Sequence, residues 1–429
     1  MSVSLSLPTL SYQEGRLLMD QRCRAMGVPS VRTIPEVYRV RGPLDIGLLD
    51  KALAALAERH EALRTRFPDP YRQIVSLKVA LKATVVEVSD EQAAFDVVRA
   101  EVARPLPADQ PERLRVTAVR VDEDDHFVVL VFDHLVVDAW ARGLLMDELS
   151  ALYSGQTLPE VEYGYQNYVN GQRELLVDGR LMAFWRERLA GPGAIPRLDV
   201  AKLPAGRTPE GGYQTRPLPA ELVGRVRLLA ARERATLFML VLCALQIALR
   251  EHTGADDQSV AVNVYNRDTV GQEKLVAPLA ELLVVRTDLA NALTFRDALG
   301  RVRAASLDAQ EHGAMPFAEL VKAFNPHDYA DPDVPIGVVL NMLYSQVHGG
   351  GLDLHPATTT PVPLSDKGFR PRSELMLVGE AGGTELTLSA YYQADRLPAE
   401  FVTALLDRLV ALLSAVVDDP LLSVVGSGV

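Results

Sequence analysis

Cysteine is almost missing from the 429-residue chain: Cys23, in a mixed polar stretch, and Cys243, inside an apolar run, are the only two. Two thiols so placed exclude a disulfide framework and any metal-ligand spacing, and they suit a reducing cytoplasm. Positive charge is in deficit, with 44 Lys+Arg against 56 Asp+Glu, a net charge of −12 and a pI of about 5.3. Nothing in that balance favours wrapping a phosphate backbone, so no nucleic-acid partner is expected. The opening MSVSLSLPTLSYQEGR lacks a basic stretch followed by an apolar core, so no secretory signal is expected. Long hydrophobic runs are lacking too. The most apolar, Ala235 to Leu249, is interrupted by Gln246 and falls short of the roughly 20 residues a membrane span needs. It reads as a buried helix, with no membrane role expected. No short-period repeat or low-complexity tract is visible.

What is present is an ordinary globular composition, 48% apolar and 23% charged, with 29 Gly and 27 Pro scattered throughout. The length exceeds what one core organises and predicts two or three lobes of roughly 150–200 residues each. Gly, Pro and charged residues concentrate between Leu189 and Gly212, the best linker candidate, and put a lobe boundary around 175–190. Apolar spacing predicts helices over 45–58, 181–189, 235–251, 295–309 and 399–417. Strands are predicted over 113–121, 126–132, 258–264, 279–288, 336–343 and 385–391, the second of them central. Helices and strands alternate in both halves, which argues for α/β or α+β layers.

The polar cluster that draws attention is Asp133-His134-Leu135-Val136-Val137-Asp138, between the apolar strand HFVVLVF and a helix carrying Trp140, Leu144, Leu145, Leu149 and Leu152. A turn there can project the imidazole into a crevice while Asp138 fixes the local backbone. By spacing alone a hydrogen-bonded packing histidine and a helix-capping aspartate explain the same residues, and that is the favoured reading at this point.

Further segments shift the balance. SYQEGRLL (11–18), RHEALRTRF (59–67), DHLVVDAW (133–140), YQNYVNGQRE (165–174), FWRERLAG (184–191) and TLFMLVLCALQIALREHTGADD (236–257) stand in this order. They are followed by LVAPLAELLVVRTDL (275–289), MPFAELV (315–321) and Asn325-Pro326. In sequence and order these resemble, from end to end, the condensation domains of nonribosomal peptide synthetases, relatives of chloramphenicol acetyltransferase. The family patterns are R-H-E-x-L-R-T-x-F, H-H-x-x-x-D-G-W, G-x-x-V-N-T-x-x-x-R and P-F-E-x-L-V. The resemblance implies an α/β fold of α+β two-layer sandwiches: two chloramphenicol-acetyltransferase-like lobes, 1–178 and 179–429, in a V with the active site between them.

The resemblance further implies amide-bond formation, by transfer of an acyl or aminoacyl group from the phosphopantetheine thioester of an acyl or peptidyl carrier protein to an amine acceptor. The acceptor is expected to be carrier-bound or a small soluble amine. The carrier-bound 4'-phosphopantetheine brings the substrate in; no permanently bound cofactor and no metal are expected. His134 takes the catalytic role, orienting the nitrogen, removing its proton or stabilising the tetrahedral intermediate. Asp138 and Arg286 become a structural pair that shapes the site. Two positions depart from the pattern: Asp133 replaces the first histidine and Ala139 the glycine. Asp133 either accepts a hydrogen bond near the imidazole or points into the scaffold. With Asp138 it also satisfies the D-x-x-x-x-D of heterocyclisation domains, whose following serine is here Ala141.

Heterocyclisation, a non-catalytic recruitment domain of the same fold and a coenzyme A-dependent acyltransferase are the competing readings. The motif at 59–67 is expected to be scaffold, with Arg59, His60 and Arg64 complementing a helix end or pairing with nearby acids. Asn263, Tyr265 and Arg267 are expected to face the tunnel or cap a loop. Ser365–Phe369 is expected near a crossover, and Gly349–Gly351 in a loop.

Overall fold

The computed structural model describes residues 5–26, 32–191, 198, 210–324, 336–344, 351–364 and 369–424. Most of the 189–212 stretch, Asn325-Pro326, Gly349-Gly350 and Ser365–Gly368 lie outside the described residues. The first half runs β1 (Leu5–Pro8), α1 (Ser11–Met26), β2 (Thr33–Arg41), α2 (Ile46–Arg59), β3 (Thr65–Asp69), β4 (Arg72–Val75), β5 (Ala83–Glu87) and α3 (Glu91–Ala103). It continues through β6 (Leu114–Asp122), β7 (Asp125–Asp133), α4 (Ala139–Tyr153), α5 (Tyr165–Asp178) and α6 (Arg180–Arg188). The second half runs β8 (Gly211–Leu218), α7 (Ala220–Arg232), α8 (Leu237–Thr253), β9 (Asp257–Val264), α9 (Val270–Glu273), β10 (Glu281–Asp288), α10 (Phe295–Glu311) and α11 (Phe317–Phe324). It closes with β11 (Ile336–Tyr344), β12 (Thr358–Pro361), β13 (Ser373–Gly382), β14 (Glu385–Gln393) and α12 (Ala399–Val416).

Strand β7 is the middle member of a five-stranded sheet ordered β12-β2-β7-β6-β5. Its side chains alternate between faces, as the strand period requires. Val128, Leu130 and Phe132 pack with Leu49, Leu53 and Leu56 of α2 and Leu145 and Leu149 of α4. Phe127, Val129 and Val131 meet Ala94 and Val98 of α3. A strand covered on both faces has to be apolar throughout, which is why its sequence shows no alternation. A separate three-stranded sheet is ordered β1-β4-β3.

The second half is built on a six-stranded sheet, β10-β9-β11-β13-β14-β8. Helix α8, capped by the Thr236 side chain on Met239 N and closed by left-handed Gly254, is buried almost along its whole length between the sheet, α7, α10 and α12. On β11, Val338, Leu340 and Met342 join that core, while Val339, Asn341 and Leu343 face a cavity on the opposite side.

The halves are interlocked. β12 leaves the second half and adds to the edge of the first sheet, pairing antiparallel with β2 from Thr358↔Arg41 to Pro361↔Tyr38. Leu352, Leu354 and Ala357 before it enter the first half's core. Glu14 of α1 forms an ion pair at 3.0 Å with Lys322 of α11. The 59–67 motif is scaffold within the first half: Arg59 Nε and His60 Nε2 meet Glu148 of α4 at 2.9 and 2.6 Å.

Candidate active site

The chain leaves the sheet after β7 in a turn that sends adjacent side chains to opposite sides. Asp133, with no exposed surface, turns into the scaffold. Arg32 Nε donates to it at 2.9 Å, buried Arg113 donates to its other oxygen, and Leu135 N donates at 3.0 Å. Arg32 also pairs with Asp20, so two carboxylates balance two guanidiniums, as burial of charge demands.

His134 turns the other way and lines the cavity. Its Nδ1 lies 3.2 Å from the Tyr12 hydroxyl. Tyr12 is held in place by its neighbour Gln13, fully buried, whose amide donates to Leu135 O at 2.9 Å and to Tyr165 Oη at 2.6 Å. Burial pushes the imidazole pKa below its ordinary 6.5 and the Arg16 charge pushes the same way, against a hydrogen bond to the residue's own backbone carbonyl. The Tyr12 hydroxyl engages Nδ1, and among the described residues no group is bonded to Nε2, which is left for chemistry.

Asp138 caps α4 through Ala141 N at 2.8 Å and accepts from Leu279 N and Ala280 N, each at 2.9 Å. Its ion pair is with Arg267, at 2.9 Å and nearly solvent-free on both sides. This corrects the pairing expected for Arg286, which lies instead against Asp257 at 2.6 Å. The reason is register. β10 starts at Glu281 beside the turn, and Arg286 sits five residues along the strand, opposite Ser259, about 17 Å away at the strand rise. The structure therefore brings His134 and Asp138 together, turns Asp133 behind them and leaves Arg286 outside. Arg267, on the loop after β9, takes the place expected for Arg286.

The cavity has a volume of about 410 Å³ and lies between the turn, α1, the inner face of the six-stranded sheet and α11. Tyr265, Phe317, Phe369 and Met376 supply apolar wall, and Arg16, Glu281 and Arg372 supply charge. Among the described residues no group of His, Cys, Asp or Glu is arranged to hold a metal ion, and no helix is long and apolar enough to cross a membrane.

A family model described as Condensation domain matches residues 6–425. The chain belongs to the condensation-domain family. It is 34% identical over 339 residues to the phosphinothricin tripeptide synthetase PhsC of Streptomyces viridochromogenes, covering 73% of this chain and 30% of that protein. It is 31% identical over 324 residues to tyrocidine synthase 2 of Brevibacillus parabrevis, covering 73% of this chain and 9% of that protein. The chain thus spans a small part of the curated relatives it matches. In structure it is similar to the X-domain in the complex of the X-domain and OxyB from teicoplanin biosynthesis, with a TM-score of 0.84, 21% identity and coverage of 99% and 96%. It is also similar to the condensation domain from the monacolin K polyketide synthase MokA, with a TM-score of 0.80, 21% identity and coverage of 99% and 100%. The fold is the chloramphenicol-acetyltransferase-like α/β fold of nonribosomal peptide synthetase condensation domains.

Within this condensation domain, Glu281 is the site residue that sequence reading passed over. Counting back five positions from Arg286, it occupies the asparagine of the G-x-x-V-N-T-x-x-x-R pattern. That replacement of an amide by an acid was the available signal. Its carboxyl accepts from Phe317 N at 3.2 Å, and burial raises its pKa to about 8. Arg372 was also missed: it follows 365–369, and no periodicity marks it as facing inward.

Proposed function

We propose that the chain forms an amide bond, transferring an acyl or aminoacyl group from the phosphopantetheine thioester of a carrier protein to an amine acceptor. The observation that carries this reading is His134: a neutral imidazole with Nε2 uncommitted, held over a cavity lined from both halves of the chain. An acyl thioester is already activated, and an amine resembling an α-amino group, with a pKa of about 7.7–8.0, is partly neutral at pH 7. Alignment of the reactants can then supply most of the rate, since well-oriented groups reach effective molarities of about 10⁵–10⁸ M. His134 Nε2 removes the nitrogen's proton as the C–N bond forms and delivers it to the leaving thiolate sulfur. Tyr12 holds the ring. Asp138, through Arg267, holds the turn to the second half and is a positioning residue, not a catalytic one.

Asp133 supports amide formation over ring formation, because its carboxylate faces Arg32 and Arg113 rather than the cavity. The test is intact-mass analysis of an acyl-loaded carrier protein incubated with a panel of amines. His134→Ala is expected to reduce product formation roughly 10²–10⁴-fold, while Asp133→Asn is expected to lower stability and retain turnover of the folded fraction. Product lacking one further water and indifferent to His134 would indicate heterocyclisation. Carrier binding without turnover of any amine would indicate a recruitment domain.

A further inference from the structure

The cavity holds an acidic and a basic side chain that form no ion pair with each other among the described residues. Glu281, the first residue of β10, is 7% exposed and receives a hydrogen bond from the start of α11. Among the described residues it has no ion-pair partner. Arg372, just before β13, is exposed to the cavity and, among the described residues, has no acceptor within hydrogen-bonding distance of its guanidinium. Arg16 of α1 lines the same space. Tyr12, whose hydroxyl touches the His134 ring, and His134 itself line the cavity together with Glu281, Arg16 and Arg372.

Glu281, buried with few partners, is poorly satisfied without a ligand, and Arg372 meets no protein acceptor among the described residues. Burial raises the Glu281 carboxyl to about 8, against its charged form, and a bound cation reverses that shift. A pair that existed to stabilise the fold would be in contact, as Asp138 and Arg267 are at 2.9 Å. An acid and a base left apart in one small cavity instead complement a ligand carrying both charges itself.

We propose that the acceptor is a free amino acid bound as its zwitterion, its carboxylate held by Arg372 with Arg16 and its ammonium by Glu281, within reach of His134. This rests on the acyl-transfer reading above for what happens to the amine. The Glu281 carboxylate takes one proton from the ammonium, leaving the neutral amine. The nitrogen lone pair attacks the thioester carbonyl carbon and forms the C–N bond; a second N–H proton passes to His134 Nε2 and on to sulfur as the C–S bond breaks. The products are amide and free thiol, with one proton left on Glu281 for release to solvent. An aminoacyl group on a carrier has no free carboxylate and would leave Arg372 unanswered.

The test is equilibrium binding by calorimetry, without any acyl donor, of the proteinogenic amino acids, each beside its α-amide and its N-acetyl form. Proteins are wild type, Arg372→Gln, Arg372→Lys and Glu281→Gln, each checked for folding by circular dichroism. For at least one amino acid, wild type is expected to bind the free form at least about tenfold more tightly than either derivative, the size of one charge-assisted hydrogen bond. Arg372→Gln should erase the preference over the amide, with Arg372→Lys restoring part of it, and Glu281→Gln should erase the preference over the N-acetyl form. Equal binding of acids and amides by wild type, or no binding of any free amino acid, overturns the proposal. Zwitterion-selective binding combined with no acyl transfer would leave this site standing and remove the condensation reading, so the two fail separately.

Discussion

At His134 an imidazole must be neutral near pH 7 while two arginines share its cavity. Burial and Arg16 both lower its pKa below 6.5, so the protonated form belongs to acid solution only. Arg16→Gln removes the second cause, and the expected result is a His134 pKa higher than in wild type. With eight histidines in the chain, the resonance is assigned by its loss in His134→Gln and followed by NMR titration. A pKa that stays put or falls would show that the Arg16 charge does not hold the ring's pKa down. Glu281 presents the opposite sign of linkage. Its folded pKa of about 8 exceeds the ordinary 4.5, so the native state binds more protons between those values and stability falls as pH rises through that window. Glu281→Gln keeps shape and hydrogen bonding without the charge. It is expected to raise the thermal midpoint at pH 8 by a few degrees and to change it little at pH 5; equal effects at both pH values would contradict the raised pKa.

At the scale of elements, the site is a helix start pinned to a strand start. Asp138 ends the turn after β7, caps α4 and binds the backbone just before β10. Asp138→Ala removes the cap and leaves Arg267 buried without its partner, which costs roughly 3–5 kcal/mol for a broken buried pair. Adding Arg267→Met removes the stranded charge, so the double variant is expected to be more stable than Asp138→Ala in urea denaturation. Strict additivity of the two losses would mean that the groups do not interact in solution. Much of this assembly is legible in the sequence. The unbroken apolar run of β7 requires a strand covered on both faces, and Asp138 ahead of an i, i+3, i+4 apolar pattern marks the start of α4. The partner of Asp138 is not legible, because a motif supplies an arginine by its spacing along the chain, whereas pairing depends on which end of β10 faces the turn. Strand β12 escapes for another reason: four residues, Thr358–Pro361, carry too short a pattern to display a period, and their pairing with β2 is a contact across more than three hundred positions of sequence. The polar helix α1 hides its buried side because that side uses Gln13 and Asp20 as well as Leu17.

At the scale of the whole molecule, the connections between the halves decide whether the protein unfolds as one unit. Strand β12 inserts into the first sheet, Asp138 pairs with Arg267, and Glu14 pairs with Lys322, so neither half completes its own structure. The two tryptophans report on this separately. Trp140 stands at the junction, its Nε1 donating to Glu273 O at 2.8 Å and its ring 5.7 Å from Tyr265. Trp185 is fully buried in the core of the second half and donates to His312 O at 3.1 Å. In each single-tryptophan variant, Trp185→Phe or Trp140→Phe, the fluorescence midpoint is expected to coincide with the midpoint of far-ultraviolet ellipticity, the signature of one cooperative transition. Introducing Asp138→Ala into both should separate them, with the Trp140 signal lost at lower denaturant than the ellipticity while Trp185 continues to track it. Coincidence that survives Asp138→Ala would place the coupling in β12 and the packed residues before it instead of in the ion pair. Separation already present without Asp138→Ala would mean that the junction opens before either half unfolds, and that the cavity around His134 is assembled by a weaker equilibrium than the one that folds the chain.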